Sequence, residues 1–180
     1  LCCLPLHHIG GFAVLCRALI YGFSINLVSI FEAQAVFDVI SCHPVTIISL
    51  VPTMLKRILE IEGGKEALKT MRHILLGGGP SPKSLLDICI QERLSIVKVY
   101  GMTETCSGTF GLKLLEEPQN KFYTGRPFPK TIVLIKNDEI HISGPMVMKG
   151  YLGERNTNGT HNSHDLGRLD DDLLFLHIRR

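Results

Sequence analysis

An α/β fold, with a doubly wound and mostly parallel sheet followed by a small β-rich subdomain, is predicted by three features of these 180 residues. Short apolar runs of strand length alternate with segments of helical periodicity up to about residue 110. Glycine or proline punctuates most of the changes between them. Beyond that point strand-like runs continue with no long helix between them. The expected division is an α/β part over 1–112 and a β-rich subdomain over 113–180.

Taken in order, Leu1 to Pro5 reads as the end of a buried strand. His7-His8-Ile9-Gly10-Gly11 then leads into an apolar helix through Phe12, Leu15, Leu19 and Ile20, ended by Gly22. Ser24 to Ile30 predicts a strand, and Ala33, Val36, Phe37 and Ile40 repeat at helical spacing. After a strand over Thr46 to Val51, Pro52 suits the first turn of a helix carrying Leu55, Ile58 and Leu59, which Gly63-Gly64 breaks. Arg72 to Leu76 is a strand running into Gly77-Gly78-Gly79-Pro80, and the next helix opens with Ser81 as N-cap and Pro82 at its first position. Ile96 to Val99 is the strand that follows. Later strands are expected over Thr131 to Lys136, Glu139 to Ser143 and Leu173 to Ile178, with the polar stretch Glu154 to Asp165 as a loop.

The richest chemistry lies in Tyr100-Gly101-Met102-Thr103-Glu104-Thr105-Cys106-Ser107, where the strand ends. Ligands of open α/β sheets bind at the carboxyl ends of strands. Tyr100 offers an aromatic face, Gly101 a close backbone approach, Thr103 and Thr105 hydroxyl donors for anionic oxygen, and Glu104 a hard oxygen ligand suited to Mg²⁺. Those are the needs of a base, a phosphate and a metal. A strand followed by a helical turn with Thr103 as N-cap accounts for the same residues without a ligand.

Composition excludes more than it assigns. Nineteen basic and seventeen acidic residues give a net charge of +2 with no block of one sign, so no nucleic-acid surface is indicated. The first apolar segment lacks a basic leader and is interrupted by histidines, glycines and Arg17, which argues against a signal peptide or membrane span. Six cysteines without C-x-x-C spacing read as reduced thiols of a cytoplasmic protein, with Cys106 the most accessible candidate. A homo-oligomer is left open. The chain begins without Met inside a core-like run, so a piece of a longer protein is expected.

Tyr100 to Thr105 resembles the signature of the adenylate-forming superfamily, the acyl-CoA synthetases and their relatives. Other stretches resemble that family in the same order: Leu4-Pro5-Leu6-His7-His8-Ile9-Gly10-Gly11, Gly77-Gly78-Gly79-Pro80, Asp138 to Leu152, and Ser163-His164-Asp165-Leu166-Gly167. The resemblance implies that Gly77, Gly78 and Gly79 form one wall of an adenine slot and Tyr100 the other, with Gly101 and Met102 beside it. It also implies that Thr103 touches phosphate, Glu104 holds Mg²⁺, His8 shapes the acyl pocket, and Asp165 with Arg180 holds the ribose. His164 replaces a usual glycine, Leu173 a turn glycine, Arg179 a usual acid, and Lys98 a polar amide two residues before the tyrosine. Asp138 to Leu152 is expected to support the site rather than to act in it. His161 and His164 beside Asp165 are discounted as a metal site.

The implied activity has two steps. A carboxylate attacks the α-phosphate of MgATP to give an acyl-adenylate and pyrophosphate, and the thiol of coenzyme A then displaces AMP. Leu75 to Pro80 together with Tyr100 to Ser107 is most similar to the o-succinylbenzoate-CoA ligases of menaquinone synthesis, while fatty-acid and aryl-acid CoA ligases share most of these residues. The family's phosphate loop and C-terminal domain have no counterpart in these residues, so the 180 residues alone are expected to be inactive. A non-catalytic nucleotide-binding fragment is the alternative.

Overall fold

The computed structural model describes residues 1–153 and 157–176. Its elements begin with helix α1 (Ile9–Tyr21), helix α2 (Ala33–Cys42), strand β1 (Ile47–Leu50), helix α3 (Pro52–Leu59), helix α4 (Gly64–Lys69), strand β2 (His73–Leu76), helix α5 (Lys83–Gln91) and strand β3 (Ile96–Met102). Strands β4 (Ser107–Lys113), β5 (Arg126–Pro127), β6 (Ile132–Lys136), β7 (Glu139–Ser143), β8 (Thr160–Asp170) and β9 (Leu173–Leu176) follow. A five-stranded sheet runs β1 to β5 in order, and a four-stranded sheet runs β6 to β9. The pairs β1–β2 and β2–β3 are parallel; β4 and β5 turn antiparallel, as do all pairs of the second sheet.

Cys2 bridges in parallel both to Leu27 and to Ser49 of β1, so the two segments before β1 lie outside it in reversed order. Winding therefore changes direction between Cys2 and β1. Such a reversal opens a crevice at the carboxyl ends of parallel strands, because the flanking connections leave to opposite faces.

Period-two alternation divides the faces of the sheet. Ile48 and Leu50, Ile74 and Leu76, and Ile96 are buried in one core with Val36, Ile40, Leu55, Ile58, Leu68 and Leu86 of α2 to α5. Ser49, Leu75, Val97 and Val99 line a cavity on the other side with the start of α1. The second sheet packs through Ile140, Ile142 and Leu174 against Phe110 of β4, with Tyr100 and Met102 at the margin of that cluster.

Several boundaries follow the sequence closely. Gly22 closes α1 at φ 69° with its N–H donating to Ala18 O, and Pro52 opens α3. Other expectations are corrected. Among the described residues Ser24 to Ile30 forms no strand beyond the single bridge at Leu27, where Cys2 N→Asn26 O and Val28 N→Cys2 O tie this outer segment to the sheet. Leu19 and Ile20 of α1 are 87% and 72% exposed, and Gly11, Ala13 and Ala18 form its buried face instead. Pro82, not Ser81, occupies the N-cap of α5. Gly63-Gly64 does more than break α3, since Gly63 at φ 76° caps the short helix α4.

The predicted loop Glu154 to Asp165 is overturned from Thr160 onward, where β8 begins. Backbone pairing with β7 carries that strand, and its side chains are exposed or half-buried up to Leu166. The strand expected over Leu173 to Ile178 is present as Leu173–Leu176; its last two residues lie outside the described residues.

Candidate functional site

A cavity of about 610 Å³ occupies the crevice at the ends of β1, β2 and β3. Its walls are mainly apolar, with Leu4, Pro5, Met54, Val97, Val99 and Phe128 among them. Gly77 and Gly78 form part of its rim. A Cβ on Gly77 would stand 3.0 Å from both Cγ2 and O of Val99, a tight fit, and Gly78 sits at φ 78°, so both positions favour glycine for the protein's own backbone. Gly79 differs, because a Cβ there would meet nothing within 4 Å.

Tyr100 and Gly101 line the same cavity. The sequence assigned Gly101 to close ligand approach, but its own hairpin already demands it: a Cβ would lie 1.9 Å from Ser107 O on β4. Met102 ends β3, and Thr103–Thr105 forms one 3-10 turn. Met102, rather than Thr103, is therefore the N-cap. Thr105 is corrected as a ligand donor. Its side chain is fully buried, accepting from Met102 N at 3.1 Å and lying within bonding distance of the Met102 and Ser107 carbonyls. The single hydroxyl proton is thus held inside the turn. Thr103 is exposed, and Cys106 is exposed in the left-handed region at φ 54°.

Glu104 is half-buried, and its Oε1 accepts from the Tyr151 hydroxyl at 2.7 Å. That bond, and then one from the backbone, hold its carboxyl below the usual carboxylate range. Glu104 is accordingly ionised at neutral pH. Among the described residues no group of three or more His, Cys, Asp and Glu side chains gathers as a metal site. A single ionised carboxylate at Glu104 fits Mg²⁺ held by one carboxylate and by oxygens of a bound phosphate, a usual arrangement for that ion.

Asp165 reaches the site from the second sheet. The register against β7 shifts between Glu139–Leu166 and His141–Asn162, leaving residues 163–165 on a bulge of β8. His164 adopts φ 56°, the left-handed conformation that the usual glycine would adopt freely. The bulge is held by Asn162 Oδ1, which accepts from His164 N at 2.9 Å, and by Ser163 Oγ, which accepts from Asp165 N at 3.1 Å. Asp165 Oδ2 then accepts from the Tyr100 hydroxyl at 2.9 Å.

His8 lines the cavity, exposed, at the N-cap of α1 with no capping bond from its side chain. Arg17, read in the sequence only as an interruption of an apolar segment, lines the cavity too. It is the only Lys or Arg among the described lining residues. Its signal was its spacing, since it follows Gly10 by seven residues, two helical turns, and so shares that cavity-facing side. Lys98 does not line the cavity; its ammonium donates to Lys121 O at 2.6 Å and Tyr123 O at 2.5 Å. Arg180 and Arg179 lie outside the described residues.

Residues 1–152 match the AMP-binding enzyme family. The chain belongs to that family. Among curated relatives, the 2-succinylbenzoate--CoA ligase of Listeria monocytogenes is 34% identical over 188 residues, covering 100% of this chain and 40% of the relative. That of Bacillus velezensis is 39% identical over 195 residues, covering 98% and 39%. The o-succinylbenzoate CoA synthetase of Bacillus subtilis, solved in complex with the acyl-adenylate intermediate OSB-AMP, superposes with a TM-score of 0.89 at 35% identity, covering 99% of this chain and 40% of that one. The same synthetase in complex with ATP and magnesium ion gives 0.87 at 35% identity, covering 97% and 40%. This member of the AMP-binding family thus spans about two fifths of the length of these relatives.

Proposed function

We propose that this chain carries the adenine, ribose, metal and acid subsites of an ATP-dependent acid-CoA ligase whose acid is o-succinylbenzoate. The observation that carries the choice of acid is Arg17 in an otherwise mainly apolar cavity. o-Succinylbenzoate has two carboxylates on an aromatic frame, and only one is activated. The other enters an apolar cavity at high cost unless a cation meets it, and a guanidinium does so bidentately. A fatty acid or benzoate has no second carboxylate to offer. The relatives named for this acid support the same choice.

The proposed roles of the other residues are those that the family resemblance implies, and the nearness of Tyr100, Gly77 and Gly78 on the wall of one cavity supports them. Tyr100 faces Gly77, Gly78 and Gly79 across the adenine slot, Asp165 accepts from ribose hydroxyls, and Thr103 donates to phosphate. Met102 and Gly101 hold the backbone beside them, and His8 shapes the acid end. Glu104 presents an ionised carboxylate to Mg²⁺, which when bound would neutralise charge on the phosphate oxygens. The acid's carboxylate oxygen bonds to the α-phosphorus as pyrophosphate leaves; the thiolate of coenzyme A then bonds to the acyl carbon as AMP leaves. The free thiols fit a cytoplasmic setting.

The test is substrate discrimination by the native gene product that contains these residues. Its kcat/KM for o-succinylbenzoate is expected to exceed those for octanoate and benzoate by more than ~10-fold, and Arg17→Met to lower the first by ~10²-fold while leaving the others within a few-fold. A margin under ~10-fold, unchanged by Arg17→Met, would assign a general acyl-CoA ligase instead.

A further inference from the structure

We infer that Tyr151 is a positioning residue that fixes the Glu104 carboxylate for metal binding. The inference rests on the reading of Glu104 as the magnesium ligand and adds a residue that reading does not use.

Glu104 stands on a 3-10 turn whose backbone is secured by the buried Thr105 hydroxyl, but that anchor stops at the backbone. A glutamate side chain keeps three rotatable bonds beyond it, so the carboxylate needs its own restraint to meet a metal with defined geometry. The restraint comes from a segment far along the chain. Met148 N donates to Glu104 O at 2.8 Å, seating residues 148–151 on the turn, and the Tyr151 hydroxyl donates to Glu104 Oε1 at 2.7 Å. Thr157 clasps the same segment from the other side, with Oγ1 donating to Met148 O at 2.6 Å and N to Lys149 O at 2.8 Å.

The chemistry of the pair suits orientation. A phenol is a single donor on a rigid ring with two side-chain torsions, so the bond orders the glutamate at low entropic cost. It occupies one of about four lone-pair directions of the carboxylate and leaves acceptor capacity for a cation. Groups that hold a metal ligand in this way commonly contribute 10- to 100-fold in metal affinity. Tyr151 is 51% exposed, so removing its hydroxyl opens no cavity, and the Met148 bond keeps the segment in place.

The native gene product would be compared with Tyr151→Phe, Glu104→Gln and the double variant. Equilibrium binding of a non-hydrolysable ATP analogue would be followed across a Mg²⁺ titration, with thermal midpoints alongside. Tyr151→Phe is expected to raise the Mg²⁺ midpoint by about 10-fold with nucleotide affinity in EDTA and the thermal midpoint unchanged. In the Glu104→Gln background it should add nothing. An unchanged midpoint in Tyr151→Phe while Glu104→Gln raises it would overturn the positioning role. Equal shifts from Tyr151→Phe with and without Glu104 would do so as well, since a merely structural role acts in both backgrounds. A Mg²⁺ titration insensitive to Glu104→Gln would instead remove the metal reading of Glu104.

Discussion

The Tyr100 hydroxyl and Asp165 Oδ2 lie 2.9 Å apart, joining the end of β3 in the first sheet to the bulge of β8 in the second. The Tyr100 ring also packs 5.6 Å from Phe110, within the cluster that attaches one sheet to the other. A single side chain thus forms part of the cavity wall, part of an inter-sheet core and the donor that aims a carboxylate. Asp165 is held in place by the Tyr100 hydroxyl, which would lower the ordering cost if the carboxylate meets a ligand.

Because Asp165 would accept from ribose hydroxyls, Asp165→Ala should weaken ATP binding by roughly 10- to 100-fold and that of 2′,3′-dideoxy-ATP by less than 3-fold. Calorimetry with both nucleotides separates the cases. Equal losses would mean that the carboxylate serves only the Tyr100 bond.

Glu104→Gln keeps a side chain that Tyr151 can still reach and removes the charge. Acyl-adenylate formation should fall by ~10²-fold or more at saturating Mg²⁺, with the urea midpoint of unfolding unchanged. Pyrophosphate release that stays at the parent rate across the Mg²⁺ range would remove Glu104 from the site.

How far the sequence could be read depended on what kind of force made each feature. Ala33, Val36 and Ile40 marked α2 because burial on a helix leaves a period, and Gly22 and Pro52 marked ends because backbone geometry restricts residue type. Helix α4, at six residues, is too short to show a period. Thr160 to Asp165 is polar on both faces and is made a strand by backbone pairing to β7, which leaves no mark in side-chain pattern. Resemblance marked Tyr100, Glu104 and Asp165 as candidates, and the structure places Tyr100 on the cavity wall with Asp165 hydrogen-bonded to it. Arg17 was not legible, because a lone charge in an apolar helix gains meaning only once the cavity it faces is known.

The glycine turn offers a clean contrast. Gly101→Ala places a methyl against the Ser107 carbonyl, and soluble yield and the thermal midpoint should both fall sharply, at a cost of about 3 kcal/mol or more. Gly79→Ala meets no protein atom within 4 Å, so its thermal midpoint should hold while AMP affinity falls by about 10-fold if a base lies against that backbone. Unchanged AMP affinity in Gly79→Ala would move the adenine slot elsewhere.

Lys98 gives the fold a dependence on alkaline pH. Burial lowers its ammonium from its ordinary 10.5 to about 8, while the Lys121 and Tyr123 carbonyls accept its hydrogen bonds. With the folded value below the unfolded one, the unfolded chain binds more protons above pH 8, so stability rises with pH there. The slope is at most about 1.4 kcal/mol per pH unit. Burial acts oppositely on Cys3 and Cys89, pushing both thiols up to about 12 from 9.0, so the stability they contribute is lost as pH climbs beyond 9. The window from pH 8 to 9 therefore belongs to Lys98, and urea unfolding followed across it should show a maximum near pH 9. In Lys98→Met the rise should vanish and the decline above pH 9 remain. A rise that persists in Lys98→Met would place its source in another group and leave Lys98 charged throughout.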